Sequence, residues 1–212
     1  MTSHNTSSHT AAGRTISGIP YDAWYAAALT EEVGRVPVAR VVLGRRVVLY
    51  RRRDGQVVAL ADRCAHAPVA LSDGVVEGDD IVAPYTGFRY GPDGVCVAVP
   101  TQPNVPYGTA VHAFPVKDDG SFVWLWPGEA RAAALRPTPS TAWLRDAAYA
   151  TVGSSWETAA ALGLMQDNFA DITHLSRVDT AVAPPALADG AAPPPLQVAV
   201  TETTVSFSRD FE

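Results

Sequence analysis

The chain has 212 residues, 47% apolar and 18% charged, a balance that excludes intrinsic disorder for most of it and predicts a buried core. No run approaches the roughly 20 consecutive apolar residues that span a bilayer, and the opening MTSHNTSSHTAAGRT lacks a signal-peptide core, so a cytoplasmic location is expected. Sixteen basic against 22 acidic residues give a formal charge of −6, which argues against nucleic acid as a partner; a membrane is not expected either.

Residues 1–16 are rich in Ser, Thr and His without periodicity and read as a disordered leader. Tyr21–Glu32 predicts a short helix. Runs rich in β-branched residues follow at Val36–Val42, Arg46–Arg51 and Gln56–Ala61, and Asp54-Gly55 supplies the positive φ angles of a hairpin turn. Gly91-Pro92-Asp93-Gly94 repeats that signal before Val95–Val99, with further strands predicted at Ile81-Val82, Ala113–Val116 and Phe122–Leu125. Residues 17–130 therefore predict a mostly antiparallel β domain. The arginines 45, 46, 51, 52 and 53 flank the first hairpin and read as a solvated strand edge that blocks unwanted pairing, with a docking patch for an acidic partner as the alternative.

Pro127-Gly128, Pro137 and Pro139 break regular structure, so 131–146 reads as a linker. Residues 147–212 predict a strand at Ala147–Val152, a helix from Ser155 to about His174, and one more strand over Leu196–Ser208. A lone terminal strand cannot complete a sheet, so this second domain reads as unfinished.

Candidate chemistry concentrates in two places. The first is Asp62-Arg63-Cys64-Ala65-His66, followed by Ala83-Pro84-Tyr85-Thr86-Gly87-Phe88-Arg89-Tyr90. This pair of loops resembles the cluster-binding domain of Rieske non-heme iron oxygenases, in which C-x-H precedes C-P-Y-H-G and two spaced aromatics. Trp24-Tyr25, Gly44, Gly94–Pro100 and Phe122–Pro127 extend the resemblance over residues 20–130. It implies a Rieske-like antiparallel β domain, followed by part of an α+β catalytic domain of helix-grip type. It also implies a [2Fe-2S] cluster held by a thiolate and an imidazole from each loop. Cys64 and His66 match the first pair, but Ala83 and Thr86 stand at the second. Alanine has no donor atom and a threonine hydroxyl is a poor ligand here, so no cluster is expected. Cys64 and His66 then read as a retained loop pair packed without metal, with mononuclear binding as the alternative. Cys96 reads as a small core residue and His112 as no substitute ligand.

The second constellation is Asn168, Asp171, His174 and Asp179. It resembles the same family's iron motif N-x-x-D-x-x-H-x-x-x-x-H, with Asp179 where the second histidine stands. The resemblance implies mononuclear iron at His174 and Asp179, completed by a carboxylate well over a hundred residues further on, and a bridging role for Asp171 toward a neighbouring subunit's cluster. The alternative is Asp171 and His174 hydrogen-bonding each other at i, i+3. The expected function is a redox-inactive oxygenase-family subunit, in a hetero- or homo-oligomer with an intact homologue. A cofactor-free cyclase or isomerase acting on a small hydrophobic substrate, and a split iron-dependent oxygenase component completed by another chain, are the alternatives.

Overall fold

The computed structural model describes residues 20–171, 174–178, 181, 194–201 and 204–210, in two compact units that divide between Thr151 and Val152. The expected leader and the site residue Asp179 lie outside the described residues. The chain is mainly β. In the first unit, β2 (Val38–Val42), β3 (Arg45–Arg51) and β4 (Val57–Ala61) form one antiparallel sheet. A second joins β1 (Tyr25–Leu29), β10 (Phe122–Leu125) and β9 (Val116–Asp118), and a third runs β5 (Val75–Glu77), β6 (Asp80–Val82), β7 (Arg89–Tyr90) and β8 (Cys96–Ala98).

Strand β3 organises this unit because its run Val47-Val48-Leu49-Tyr50 is apolar on both faces and fully buried. Alternation along a strand sends successive side chains to opposite sides. Val48 and Tyr50 enter one core with Leu60, Leu71, Ile81 and Tyr90. Val47 and Leu49 enter another with Ala59, Phe114, Val123 and Leu125. The β2-β3-β4 sheet thus carries a core on each face, and Cys64, Ala83 and Cys96 belong to the first of them.

Several expectations are corrected by tertiary contacts. Tyr21–Glu32 is strand β1 and a 3-10 turn, Thr30–Glu32, instead of a helix. Pairing with β10, from Tyr25↔Leu125 to Leu29↔Phe122, overrides the helix preference of its alanines. The arginines are not simply a solvated edge. Arg51 donates to the carbonyls of Val33 (2.9 Å), Thr30 (3.2 Å) and Gly55 (2.7 Å) and pairs with Asp118 at 2.8 Å, drawing the β3–β4 hairpin onto its neighbours.

Residues 131–146 make several contacts with the rest of the first unit. Helix α1 (Ala130–Ala133) buries Ala133, the Trp24 indole donates to the Arg136 carbonyl at 2.9 Å, and the Thr141 hydroxyl donates to Asp119 at 2.6 Å. Asp119 also accepts the backbone N–H groups of Ser121 and Phe122, each at 2.9 Å, and the Trp124 indole at 2.8 Å. Burial works to raise its pKa, but these donors outweigh it and hold the carboxyl well below the ordinary carboxylate range.

No strand forms over 147–152, and in the second unit the expected long helix reduces to α2 (Leu162–Ala170) and α3 (Leu175–Val178). Among the described residues no side-chain hydrogen bond caps the start of α2. The terminal segment expected as one strand is a hairpin of β11 (Gln197–Val200) and β12 (Val205–Ser208). Thr204 N–H donates to Thr201 Oγ1 at 3.0 Å, and such local side-chain bonds compete with strand continuation and favour a turn. Among the described residues no helix is long and apolar enough to cross a membrane.

Candidate functional site

The loop that carries Cys64 is fixed at its base by Asp62, which is 3% exposed. Its carboxylate accepts the backbone N–H (2.7 Å) and hydroxyl (2.8 Å) of Ser72, and Arg46 at 3.2 Å. Cys64 N–H donates to the Val69 carbonyl at 2.9 Å, closing the loop on itself. These bonds pin both ends of the segment, so the Cys64 side chain is held inward with little conformational freedom.

The facing loop is a tight turn. Ala83 N–H donates to Phe88 O at 2.8 Å and Gly87 N–H to Ala83 O at 3.1 Å. Gly87 has φ +67°, and a Cβ there would stand 2.7 Å from Pro100 Cγ, so both conformation and space require glycine. Tyr85 also adopts φ +65°, uncommon for a residue with a side chain, and its ring is 96% exposed. Beside the loops lies an open groove of about 930 Å³ lined by Arg46, Asp62, Arg63, Pro68, Pro84 and Tyr85. Ala61, Val69 and Ala70 also line it, so charged and apolar side chains share a groove that is open to solvent.

Between the loops, Cys64 Sγ lies 3.3 Å from the Tyr90 hydroxyl and 3.6 Å from Thr86 Oγ1. The Tyr90 oxygen in turn accepts Ala65 N–H at 3.0 Å, leaving its own hydrogen for the sulfur. Burial pushes the Cys64 thiol up, but the Tyr90 and Thr86 hydroxyls and the backbone of Ala67 and His66 outweigh it, so its pKa falls below the ordinary thiol value. Burial and the same sulfur raise that of Tyr90. Tyr90 was not singled out from sequence as the partner of Cys64. The available signal was a phenol placed among core residues, where its hydroxyl has to find a partner.

His66 is exposed and stacks on Phe88, ring centroids 4.9 Å apart and 11° from parallel. Cys96 contacts the Ala98 carbonyl at 3.5 Å, and burial raises its thiol pKa. His112 meets Phe114 edge-on at 4.5 Å. Neither is brought to Cys64 as part of a ligand set: among the described residues no group of three or more His, Cys, Asp or Glu side chains could hold a metal ion. The residues do not fit a [2Fe-2S] cluster. Ala83, 3% exposed, has no donor atom, the Thr86 hydroxyl is a poor ligand, and the thiol is engaged by two hydroxyls.

The second constellation is partly described. Asp171 follows α2 in extended conformation, and the Nδ1 of His174 lies 2.5 Å from its backbone carbonyl oxygen. A carbonyl only accepts, so Nδ1 carries the proton and the lone pair of neutral imidazole resides on Nε2. The bond to a backbone carbonyl orients a ring as metal-ligating histidines are oriented. The i, i+3 contact between these residues therefore runs through the backbone carbonyl of Asp171. The described residues do not by themselves make a complete iron site.

The family described as the Rieske [2Fe-2S] domain matches residues 23–115. The chain is 36% identical over 161 residues to the dicamba O-demethylase oxygenase component of Stenotrophomonas maltophilia, covering 76% of this chain and 48% of that protein. It is 30% identical over 155 residues to a vanillate O-demethylase oxygenase subunit of a Pseudomonas species, covering 73% and 44%. Among solved structures, dicamba monooxygenase bound to dicamba superposes with a TM-score of 0.77 at 30% identity, covering 88% of this chain and 55% of that one. The chain spans about half the length of the curated relatives it matches. With a Rieske domain over residues 23–115 and these relatives around it, the chain belongs to the family of Rieske-type oxygenase components.

Proposed function

We propose that this chain is a redox-inactive member of the family that works beside an intact oxygenase homologue, keeping the β scaffold without carrying electrons through it. The observation that carries the reading is the contact between Cys64 and the hydroxyls of Tyr90 and Thr86, with Ala83 buried where the family pattern has a cysteine. Deeply packed side chains with satisfied hydrogen bonds leave the two loops closed on each other. What the chain then offers a partner is shape: a rigid domain whose loop tip presents Tyr85 and His66 to solvent.

The test is iron and acid-labile sulfide content, with a visible spectrum, on protein produced anaerobically with iron in excess. The expected outcome is a folded, colourless protein without cluster absorption. Iron and sulfide near two of each per chain overturn the reading, because that stoichiometry defines a [2Fe-2S] cluster. Binding to an intact oxygenase of the same source, followed by light scattering, tests the pairing; a strict monomer in that mixture argues against it.

A second reading is favoured by one observation, the orientation of His174. With Nδ1 bonded to the Asp171 carbonyl, Nε2 is the nitrogen left to hold a metal together with Asp179 and a carboxylate from another chain. It predicts one iron per assembled unit and none in the isolated chain.

A further inference from the structure

We infer that the groove beside the two loops is a binding site for a free amino acid with an aromatic side chain, taken up as its zwitterion. The inference goes beyond the redox-inactive reading and holds whatever iron the chain carries. It starts from charges in the groove lining that do not cancel. Arg46 is already paired: its Nη2 meets the buried Asp62 carboxylate at 3.2 Å. Arg63 and Asp73 remain, both exposed, and among the described residues neither side chain has an ion-pair or hydrogen-bond partner. One free cation and one free anion therefore line the same groove without meeting. A ligand with a single charge satisfies one and is repelled by the other, whereas a zwitterion satisfies both.

Asp62 sets their spacing. It directly precedes Arg63, and its carboxylate accepts the backbone N–H of Ser72 at 2.7 Å and the Ser72 hydroxyl at 2.8 Å, immediately before Asp73. Arg63 N–H donates to the Ala61 carbonyl at 2.8 Å, and Gly74 N–H to the Leu71 carbonyl at 2.9 Å. Gly74 is itself fixed, since a Cβ there would stand 2.1 Å from the Val82 carbonyl oxygen. The backbones that carry the two unpaired charges are thus tied to one buried carboxylate, and a site arranged before its ligand arrives loses less entropy on binding. A free amino acid matches because its carboxylate and ammonium sit on one carbon. In a peptide the same two charges lie at opposite ends.

The rest of the lining selects the side chain. Pro68, Val69 and Pro84 supply apolar walls, and Tyr85 adds a ring that is 96% exposed on a backbone at φ +65°. A ring held out in a conformation that residues with side chains seldom adopt has its face open to a second ring. The groove volume, about 930 Å³, falls in the roughly 300–1,000 Å³ range of small-molecule sites. A second groove, of about 530 Å³, provides the contrast. Its Asp54 pairs with Arg52 at 3.0 Å and its Asp118 with Arg51 at 2.8 Å, so neither carboxylate is left for a ligand.

The experiment follows binding of L-phenylalanine to the 212-residue chain by saturation-transfer NMR. Alongside run phenylalaninamide, which lacks the carboxylate, N-acetylphenylalanine, which lacks the ammonium, and phenylalanyl-glycine, which separates the two charges. Phenylalanine is expected to bind at about 1–10 mM, because both ion pairs stay open to solvent, and each analogue about threefold or more weakly. Arg63→Gln removes the preference over phenylalaninamide and keeps that over N-acetylphenylalanine; Asp73→Asn does the reverse. Both variants melt with the parent chain, since neither side chain has a partner to lose. No binding of phenylalanine up to about 50 mM overturns the site. So does any analogue that binds as tightly as phenylalanine, or a preference that survives the matching substitution. None of these readouts depends on cluster content, so failure of this site and failure of the redox-inactive reading are told apart.

Discussion

Strand β3 and the β11–β12 hairpin both carry valines in strand conformation, yet they sit at opposite extremes. Val47, Val48, Leu49 and Tyr50 have no exposed surface, whereas every residue of β11 and β12 is exposed. The β3 run is apolar on both faces, whereas the hairpin alternates apolar with polar or small residues. What also differs is the supply of neighbours: β3 is flanked by β2 and β4 and covered on both faces, whereas among the described residues β11 and β12 pair only with each other. A strand's sequence states which surfaces should be buried, and the rest of the chain, or another chain, determines whether they are.

The largest break of this contrast comes from the core. Leu49→Ala is expected to cost about 3 kcal/mol, measured by denaturant unfolding of the first unit, because a fully buried side chain leaves both lost transfer energy and a cavity. Asp119→Ala comes next, at about 2 kcal/mol, since it strands the Trp124 indole, the Thr141 hydroxyl and two backbone N–H groups. Tyr90→Phe should cost about 1–2 kcal/mol by leaving Ala65 N–H and the Cys64 thiol without the phenol. At the other extreme, Val200→Ala in the isolated chain should change stability by less than about 0.5 kcal/mol. A cost at Val200 approaching that at Leu49 would show the hairpin face to be covered already.

Acid sharpens the same contrast. Asp118 and Asp119 both have carboxyl pKa values lowered in the folded chain. The folded form binds these protons more weakly than the unfolded chain does, so their stabilisation is complete above the ordinary carboxylate pKa near 3.9 and is lost as pH falls below it. Unfolding of the first unit followed by tryptophan fluorescence should show this loss, and Asp119→Asn should flatten it.

Much of the first unit was legible because its signals are local. Asp54-Gly55 and the flanking alternation located β3 and β4 to within a residue or so. Strand β1 was misread as helix because its partner β10 lies about a hundred residues downstream and leaves no mark on the local pattern. The Arg51 clasp failed to show for the same reason: its acceptors are carbonyls and a carboxylate from three separate segments. At the candidate site, the residue types at positions 64, 66, 83 and 86 were readable directly. That Tyr90 meets the Cys64 sulfur was not, since an aromatic ring in a core announces its burial and not its hydrogen-bond partner.

The pairing of Tyr25 with Leu125 also sets a clock. A ribosome adding about 5–20 residues per second needs roughly 5–20 s to make the chain between those two positions. Throughout that interval β1 has left the exit tunnel ahead of its partner, and its backbone groups are open to any passing strand. Sheets dominated by such distant pairings also close slowly once synthesis ends. The nascent first unit therefore passes through a period in which holding factors and growth temperature, more than the final fold's stability, decide how much protein is recovered.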